Sequence, residues 1–174
     1  TDDQNFLVKK SSDTTILNSI KKDLEEVRLT ATEFYENMES NKGRATKAAI
    51  NALLADISLW TFEYEDCIKY CNAIDEERYL LVHGSQWYKL FYPGNSLESI
   101  FEIQYNESAG QDNHLYNMLT RFKRFTSSLY CKEILLPELS GEVIRCDATI
   151  RELDQSVWKY AGTSPGGKTF RSSI

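Results

Sequence analysis

The densest run of periodic apolar spacing lies between Gly43 and Leu81, where two stripes of helical period flank a very short break. Ile50, Leu53, Leu54, Ile57 and Trp60/Thr61 recur at i, i+3, i+4 and i+7, one face of an α-helix. Tyr64, Cys67, Ile68, Cys71 and Ile74 repeat the pattern. Only Phe62 and Glu63 lie between the stripes, so two helices, Thr46–Trp60 and Tyr64–Asp75, must turn back on each other as an αα-hairpin. The stripes are then the buried faces: Leu53, Trp60, Tyr64 and Ile68 read as core. Small residues at Ala55, Cys67 and Cys71 allow close approach of the two backbones.

Weaker patterns flank the hairpin. Ser11-Ser12-Asp13 offers helix-capping oxygens, and Ile16, Leu17, Ile20, Leu24 and Val27 then form an amphipathic helix to about Leu29. The stretch from Ala31 is mixed and ends in Ser40-Asn41-Lys42-Gly43, a loop by composition. The aromatic run Trp87-Tyr88-Lys89-Leu90-Phe91-Tyr92 reads as a loop that Trp87, Tyr88 and Tyr92 pack onto the hairpin, closed by the turn cluster Pro93-Gly94-Asn95. From Ile100 to Tyr105 the chain alternates, with Phe101, Ile103 and Tyr105 on one side and Glu102 and Gln104 on the other, which predicts a short half-buried strand. Residues 106–113 form a polar loop. Leu115, Met118, Leu119 and Phe122 keep helical spacing within Leu115–Tyr130. A helix or strand pair around Asp147 and Arg151 is expected over 141–160, followed by a loop at 162–167. The fold class is mainly α, a helical hairpin with a small β element and long loops. The chain reads as a single segment: 1–42 a leading helix and loop, 43–82 the helix pair, 83–174 a loop-rich region.

Two resemblances sharpen this picture. A small residue (Ala55), an aromatic turn, then Cys67, Cys71 and Ile74 give tetratricopeptide-like spacing, with Phe62 near the place of the usual turn glycine. That likeness implies an αα-hairpin superhelix. Four blocks, in order, resemble the SusD/RagB family: GRATKAA from Gly43, LWTFEYEDCIKYCNAI from Leu59, RYLLVHGSQWYKLFYPGNSLESIFEIQY from Arg78 and DATIRELDQSVWKYAG from Asp147. The likeness runs from about Ile16 to the C-terminus. It implies a surface-exposed outer-membrane lipoprotein that captures oligosaccharides for a SusC-like TonB-dependent transporter. Membrane contact would be made only through a lipid anchor outside this chain. Members of that family are longer, so the chain reads as an internal piece of such a protein. The alternative is a tetratricopeptide-type protein-interaction scaffold without sugar binding.

Length and charge narrow the function classes. The 174 residues suffice for a sizeable core. A formal charge of −6 argues against nucleic acid, because phosphate binding needs clustered Lys and Arg. The basic cluster Arg121-Phe122-Lys123-Arg124 is short and reads as a solvated helix face. No run approaches the roughly 18–20 apolar residues that cross a bilayer. Cys67 and Cys71, one turn apart on a stripe, read as small packing residues. Cys131 and Cys146 have the option of pairing in an oxidising compartment, which sequence leaves open. Only His83 and His114 are available to complete a zinc site, so neither metal nor another cofactor is expected.

No nucleophile turn, and no Ser or Cys placed with a histidine, gives an enzyme signature. Among 26 acidic residues some carboxylate pair will fall at glycosidase spacing by chance. The chain therefore reads as non-catalytic. Sugar binding is better served, since it uses flat aromatic faces beside amide, carboxylate and guanidinium groups. Trp87, Tyr88, Tyr92, Trp158 and Tyr160 read as structural. The binding candidates are Asn113, His114, Tyr116, Arg121 and Tyr130, in the segment after the strand, which in the SusD/RagB family contributes to the glycan platform.

Overall fold

The computed structural model describes residues 9–91, 94–105, 109–111, 114–135, 149–150, 155–157 and 172–173. These are mainly helical, with a small β element. The chain divides into two compact units, Thr1–Phe34 with Ala45–Asp75, and Tyr35–Arg44 with Glu76–Ile174.

In the first unit, helix α1 (Asp13–Arg28) begins where the Ser12 hydroxyl accepts the Thr15 N–H at 3.2 Å. Asp13 in its first turn and Arg28 in its last complement the helix dipole. Helix α3 (Lys47–Trp60) starts at Thr46, whose buried side chain accepts from the Ala49 N–H at 3.2 Å. Helix α4 (Tyr64–Asn72) follows. The hairpin read from the stripes is present: α3 packs on α4, and on α1 as well. Its core is Ile50, Leu54, Ala55 and Tyr70, with Leu24, Ala31 and Cys67 against it.

The buried faces differ from the stripes. Ile50, Leu54 and Ile57 are inside, but Leu53 is 46% exposed and Ile68 60%. The buried arc of α3 is turned by about a quarter of a revolution to include Ala48, Asn51, Ala55 and Ser58. A helix packed against two neighbours needs a wide interior arc, and small side chains there let a second helix approach. Asn51 belongs inside because its amide donates to the Ala73 carbonyl at 3.3 Å. On α4 the interior position is Tyr70, which the spacing passed over. Its ring is fully buried, its hydroxyl donates to Glu25 of α1, and the Arg28 guanidinium lies 5.6 Å from the ring centroid. Burial, and then the Glu25 carboxylate, push the Tyr70 phenol up to about 12. Cys67 is half-buried and Cys71 exposed, so only the first packs as expected; both thiols are free.

The hairpin turn closes as a Schellman motif. The Glu63 N–H donates to the Ser58 carbonyl at 2.8 Å and the Phe62 N–H to the Leu59 carbonyl at 3.2 Å. Phe62 occupies the left-handed position, φ +62°, that glycine usually fills. A side chain there costs roughly 1–2 kcal/mol.

In the second unit, Ser40–Gly43 is not a loop but belongs to helix α2 (Met38–Gly43). Asn37 caps it, accepting the Ser40 N–H at 2.8 Å. Asn41, buried, answers both backbone groups of Tyr35: it accepts from the N–H at 2.6 Å and donates to the carbonyl at 2.7 Å. Composition marked a loop because Asn and Gly favour turns; here Asn41 spends its amide inside. Lys42 is buried too, its ammonium donating to the Ser99 carbonyl and lying 4.4 Å from the Tyr79 ring centroid. Burial holds the Lys42 ammonium below its usual value, against the opposing pull of the Glu102 charge.

The aromatic run starts as a 3₁₀ helix (Gly84–Leu90), with Trp87 and Phe91 edge to face at 4.9 Å. Tyr92 and Pro93 of the expected turn lie outside the described residues; Gly94 (φ +78°) and Asn95 (φ +54°) both take left-handed backbone. Strand β1 is only Glu102–Ile103 and pairs antiparallel with β2 (Ser172–Ser173), Glu102 opposite Ser173. Its alternation is inverted: Glu102 is 1% exposed, while Phe101 and Ile103 are exposed. The cause is a hydrogen bond, since both Glu102 carboxylate oxygens accept from the Asn95 N–H, at 2.7 and 2.8 Å. Gln104 donates to the Glu39 carbonyl and to Asn95 Oδ1, and passes so close to Gly43 that a Cβ there would sit 3.0 Å from its amide. Short helices α5 (His114–Tyr116) and α6 (Leu129–Leu135) follow. Most of the helix or strand pair expected over 141–160, the loop at 162–167, Trp158, Tyr160 and Cys146 lie outside the described residues.

Three outcomes are expected in urea denaturation of the whole chain. Leu54→Ala should cost about 3 kcal/mol and Leu53→Ala under about 1 kcal/mol; equal losses would show that a different face is buried. Glu102→Gln replaces the charged acceptor of the Asn95 N–H and should cost about 1–3 kcal/mol; an unchanged midpoint would show that the charge on Glu102 contributes nothing. Because the folded Lys42 value lies below the usual 10.5, the native state binds fewer protons than the unfolded chain in the alkaline window. Stability relative to Lys42→Met should therefore improve as pH rises toward 10.5. A flat difference across that window would show that burial leaves Lys42 unperturbed.

Candidate functional site

Helix α5 starts at His114, which is exposed, and ends at Tyr116. Asn113 lies outside the described residues, as does the side chain of Tyr116. The backbone then widens into a π-helical turn (Asn117–Arg121). It ends as the Phe122 N–H donates to the Asn117 carbonyl and the Arg124 N–H to the Met118 carbonyl, both at 2.8 Å. Residues 121–124 are exposed as expected, yet they do not form one helix face: the helix stops at Arg121, and Lys123 takes φ +47°. The guanidinium carbons of Arg121 and Arg124 lie 5.2 and 5.9 Å from the Phe122 ring centroid. That geometry is a cation–π contact on an exposed ring.

Beyond it, Ser127 ties the chain to Gln155: its N–H and hydroxyl both meet the Gln155 carbonyl, at 2.9 and 3.2 Å. Thr126 bridges Ser156. Helix α6 is entered through Ser128, whose hydroxyl accepts the Cys131 N–H at 3.1 Å. Tyr130, in its first turn, is 71% exposed, and Phe122 and Phe125 are exposed as well. No hydrogen bond, ion pair or ring contact joins His114, Arg121 and Tyr130 to one another among the described residues. They share a segment of short, tethered turns that leaves rings and guanidinium groups facing solvent.

A second group of exposed rings was not anticipated. Trp60 and Tyr64, read as core, are 73% and 57% exposed, and Phe62 between them 74%. Phe62 and Tyr64 meet edge to face, with centroids 6.4 Å apart. The quarter-turn displacement of the α3 interior carries Trp60 out with Leu53. Tyr64 goes out because α4 turns Tyr70 inward. The available sequence signal was the missing glycine at position 62, which marks a turn where a ring is retained at a cost. Beside these rings, the Lys21 ammonium of α1 binds Glu63 and, at 2.8 Å, Asp66. Burial alone would lower the Lys21 value; the hydrogen bonds to Asp66 and Glu63 outweigh it and hold it well above the usual lysine range. The same bond holds Asp66 below the usual carboxylate value.

Other chemistry is sparse. Burial, and then the neighbouring Cys71, push the Cys67 thiol up, away from the reactive thiolate. Among the described residues no three His, Cys, Asp or Glu side chains gather as metal ligands. Nor is any described helix long and apolar enough to cross a membrane. No known protein family, curated protein or solved structure matches this chain.

Proposed function

We propose that this chain is a carbohydrate-binding segment of a SusD/RagB-like surface lipoprotein, holding oligosaccharide for uptake by a TonB-dependent transporter of the outer membrane. The helical hairpin is one tetratricopeptide-like repeat of a superhelical scaffold, and the chain binds sugar without turning it over. The observation that carries the reading is the run of exposed rings on tethered turns, Phe122, Phe125 and Tyr130, with Arg121 and Arg124 flanking the first. Such rings offer flat apolar faces to sugar C–H groups, and guanidinium groups donate to sugar oxygens.

A second reading is supported by the hairpin itself. Leu53 on α3 and Ile68 on α4 are left exposed, the kind of face that neighbouring repeats cover in a helical array. On that reading the segment is a protein-interaction scaffold with no sugar affinity.

Titration calorimetry against plant, host and microbial oligosaccharides separates the two. The carbohydrate reading expects dissociation constants of roughly 10⁻³–10⁻⁵ M, about 4–7 kcal/mol, with little dependence on salt, because a neutral sugar brings no charge. Tyr130→Ala should weaken binding more than Lys123→Ala, since only the first removes a stacking face. Absence of heat across the whole set would leave the scaffold reading.

A further inference from the structure

Packing in the helical hairpin leaves Cys71 unexplained. A free cysteine usually serves as a small apolar side chain, and it is among the residue types most often found inside a protein. Cys67 behaves that way: it is half-buried against the cluster of Ile50, Leu54, Ala55 and Tyr70. Cys71, one turn further along α4, is exposed. Positions i and i+4 lie one above the other on a helix, so the two sulfurs share one edge of α4 that runs from the core boundary out to solvent. They are close enough for a hydrogen bond between the thiols.

A neighbouring pair of thiols can oxidise, attack an electrophile or bind a metal ion. A disulfide needs Cβ atoms roughly 3.5–4.5 Å apart. Neighbours at i and i+4 on a helix stand about 5–6 Å apart, so oxidation would have to distort α4. Nucleophilic attack needs a thiolate, and burial, Cys71 and the Asp56 carboxylate of α3 all favour the protonated thiol of Cys67. A cation changes that balance. Two thiolates that repel each other, and a carboxylate that repels one of them, are all drawn to a positive ion set between the sulfurs.

The donor set selects the ion. Structural zinc takes four ligands in a tetrahedron, and among the described residues no three His, Cys, Asp or Glu side chains gather as metal ligands. Magnesium and calcium take oxygen donors. A soft ion such as Cu(I) prefers thiolate, and two sulfurs in line satisfy it. The expectation that no metal binds counted ligands for zinc, whereas a two-coordinate ion needs only the pair.

We infer that Cys67 and Cys71 form a two-coordinate thiolate site for a soft monovalent cation of the Cu(I) class on the solvent edge of α4. As each sulfur–metal bond forms, the proton of that thiol passes to solvent. Copper enters and stays as Cu(I), so no electron is transferred. Cys71 meets the ion from solvent, and Cys67, packed against the core, is the fixed donor.

Anaerobic competition between the whole reduced chain and bicinchoninate for Cu(I) tests the site. Wild type should withdraw a single copper per chain from the coloured complex. Cys71→Ser should lose that copper with unchanged circular dichroism, because the side chain is exposed. Cys67→Ser should lose it as well, while Cys131→Ser combined with Cys146→Ser should keep it. Zn(II), followed with a chromophoric indicator, should stay with the indicator. No copper withdrawn by wild type, or copper retained by Cys71→Ser, would overturn the site. Loss of copper on replacing Cys131 and Cys146 would overturn it too, by placing the ion on other sulfurs. Zinc held by wild type as firmly as copper would overturn the two-coordinate assignment, since it would require further ligands.

Discussion

The first unit depends on α3 being buried in two directions at once. It packs on α4 and on α1, so its interior arc is wider than one apolar stripe. Leucine and isoleucine fill one edge of that arc, and Ala48, Asn51, Ala55 and Ser58 fill the other. The division of size follows from geometry: small residues shorten the distance between helix axes, and large ones fill the space that remains. Once this arc is set, Tyr70 reaches α1 with its hydroxyl on Glu25, and Leu24 and Ala31 close the cluster. The outward positions of Leu53 and Trp60 are consequences of the same rotation.

How much of this was legible in the sequence follows from what periodicity measures. Spacing of apolar residues located α1, α3 and α4, and the Ser11-Ser12-Asp13 run located the cap of α1, because a helix persists where a face is buried; α4 starts at Glu63 without a side-chain cap. The hydrophobic count could not orient the faces. It ranks Trp60 and Ile68 above Asn51 and Ser58, whereas inside a three-helix contact small size lets a neighbouring helix approach, and Asn51 in addition donates to the Ala73 carbonyl. Tyr70 escaped for a related reason: its burial depends on a hydroxyl partner forty-five positions away, on another helix. In the segment after the strand, residue type and solvent exposure of His114, Arg121 and Tyr130 were legible, but not the π-helical turn, which arises from backbone bonds that side-chain spacing does not encode.

The second unit is organised by the opposite logic, with buried polar groups where apolar ones were expected. Asn41 replaces a strand partner for Tyr35, and Glu102 replaces a backbone acceptor for Asn95. Local composition read Ser40–Gly43 as a loop and Glu102 as an outward strand position because both judgements assume that polar side chains seek water. They seek hydrogen bonds, and water is only the commonest supplier. Lys42 shows the cost of this arrangement. Its ammonium is kept inside by a carbonyl, an aromatic face and the more distant charge of Glu102, and burial still disfavours its protonated form.

Left-handed backbone and exposed rings are each common alone, and their coincidence at the hairpin turn is the informative feature. A Schellman turn needs one residue at positive φ, and glycine meets that need without strain. Retaining Phe62 there costs stability and returns little burial, since its ring is mostly in solvent and meets Tyr64 edge to face. Folding energetics therefore gives no reason for a ring at this position. Solubility gives none either, because three aromatic side chains within five residues add apolar surface next to water. The turn therefore combines a strained backbone position with three exposed rings and with Glu63, whose carboxylate Lys21 holds.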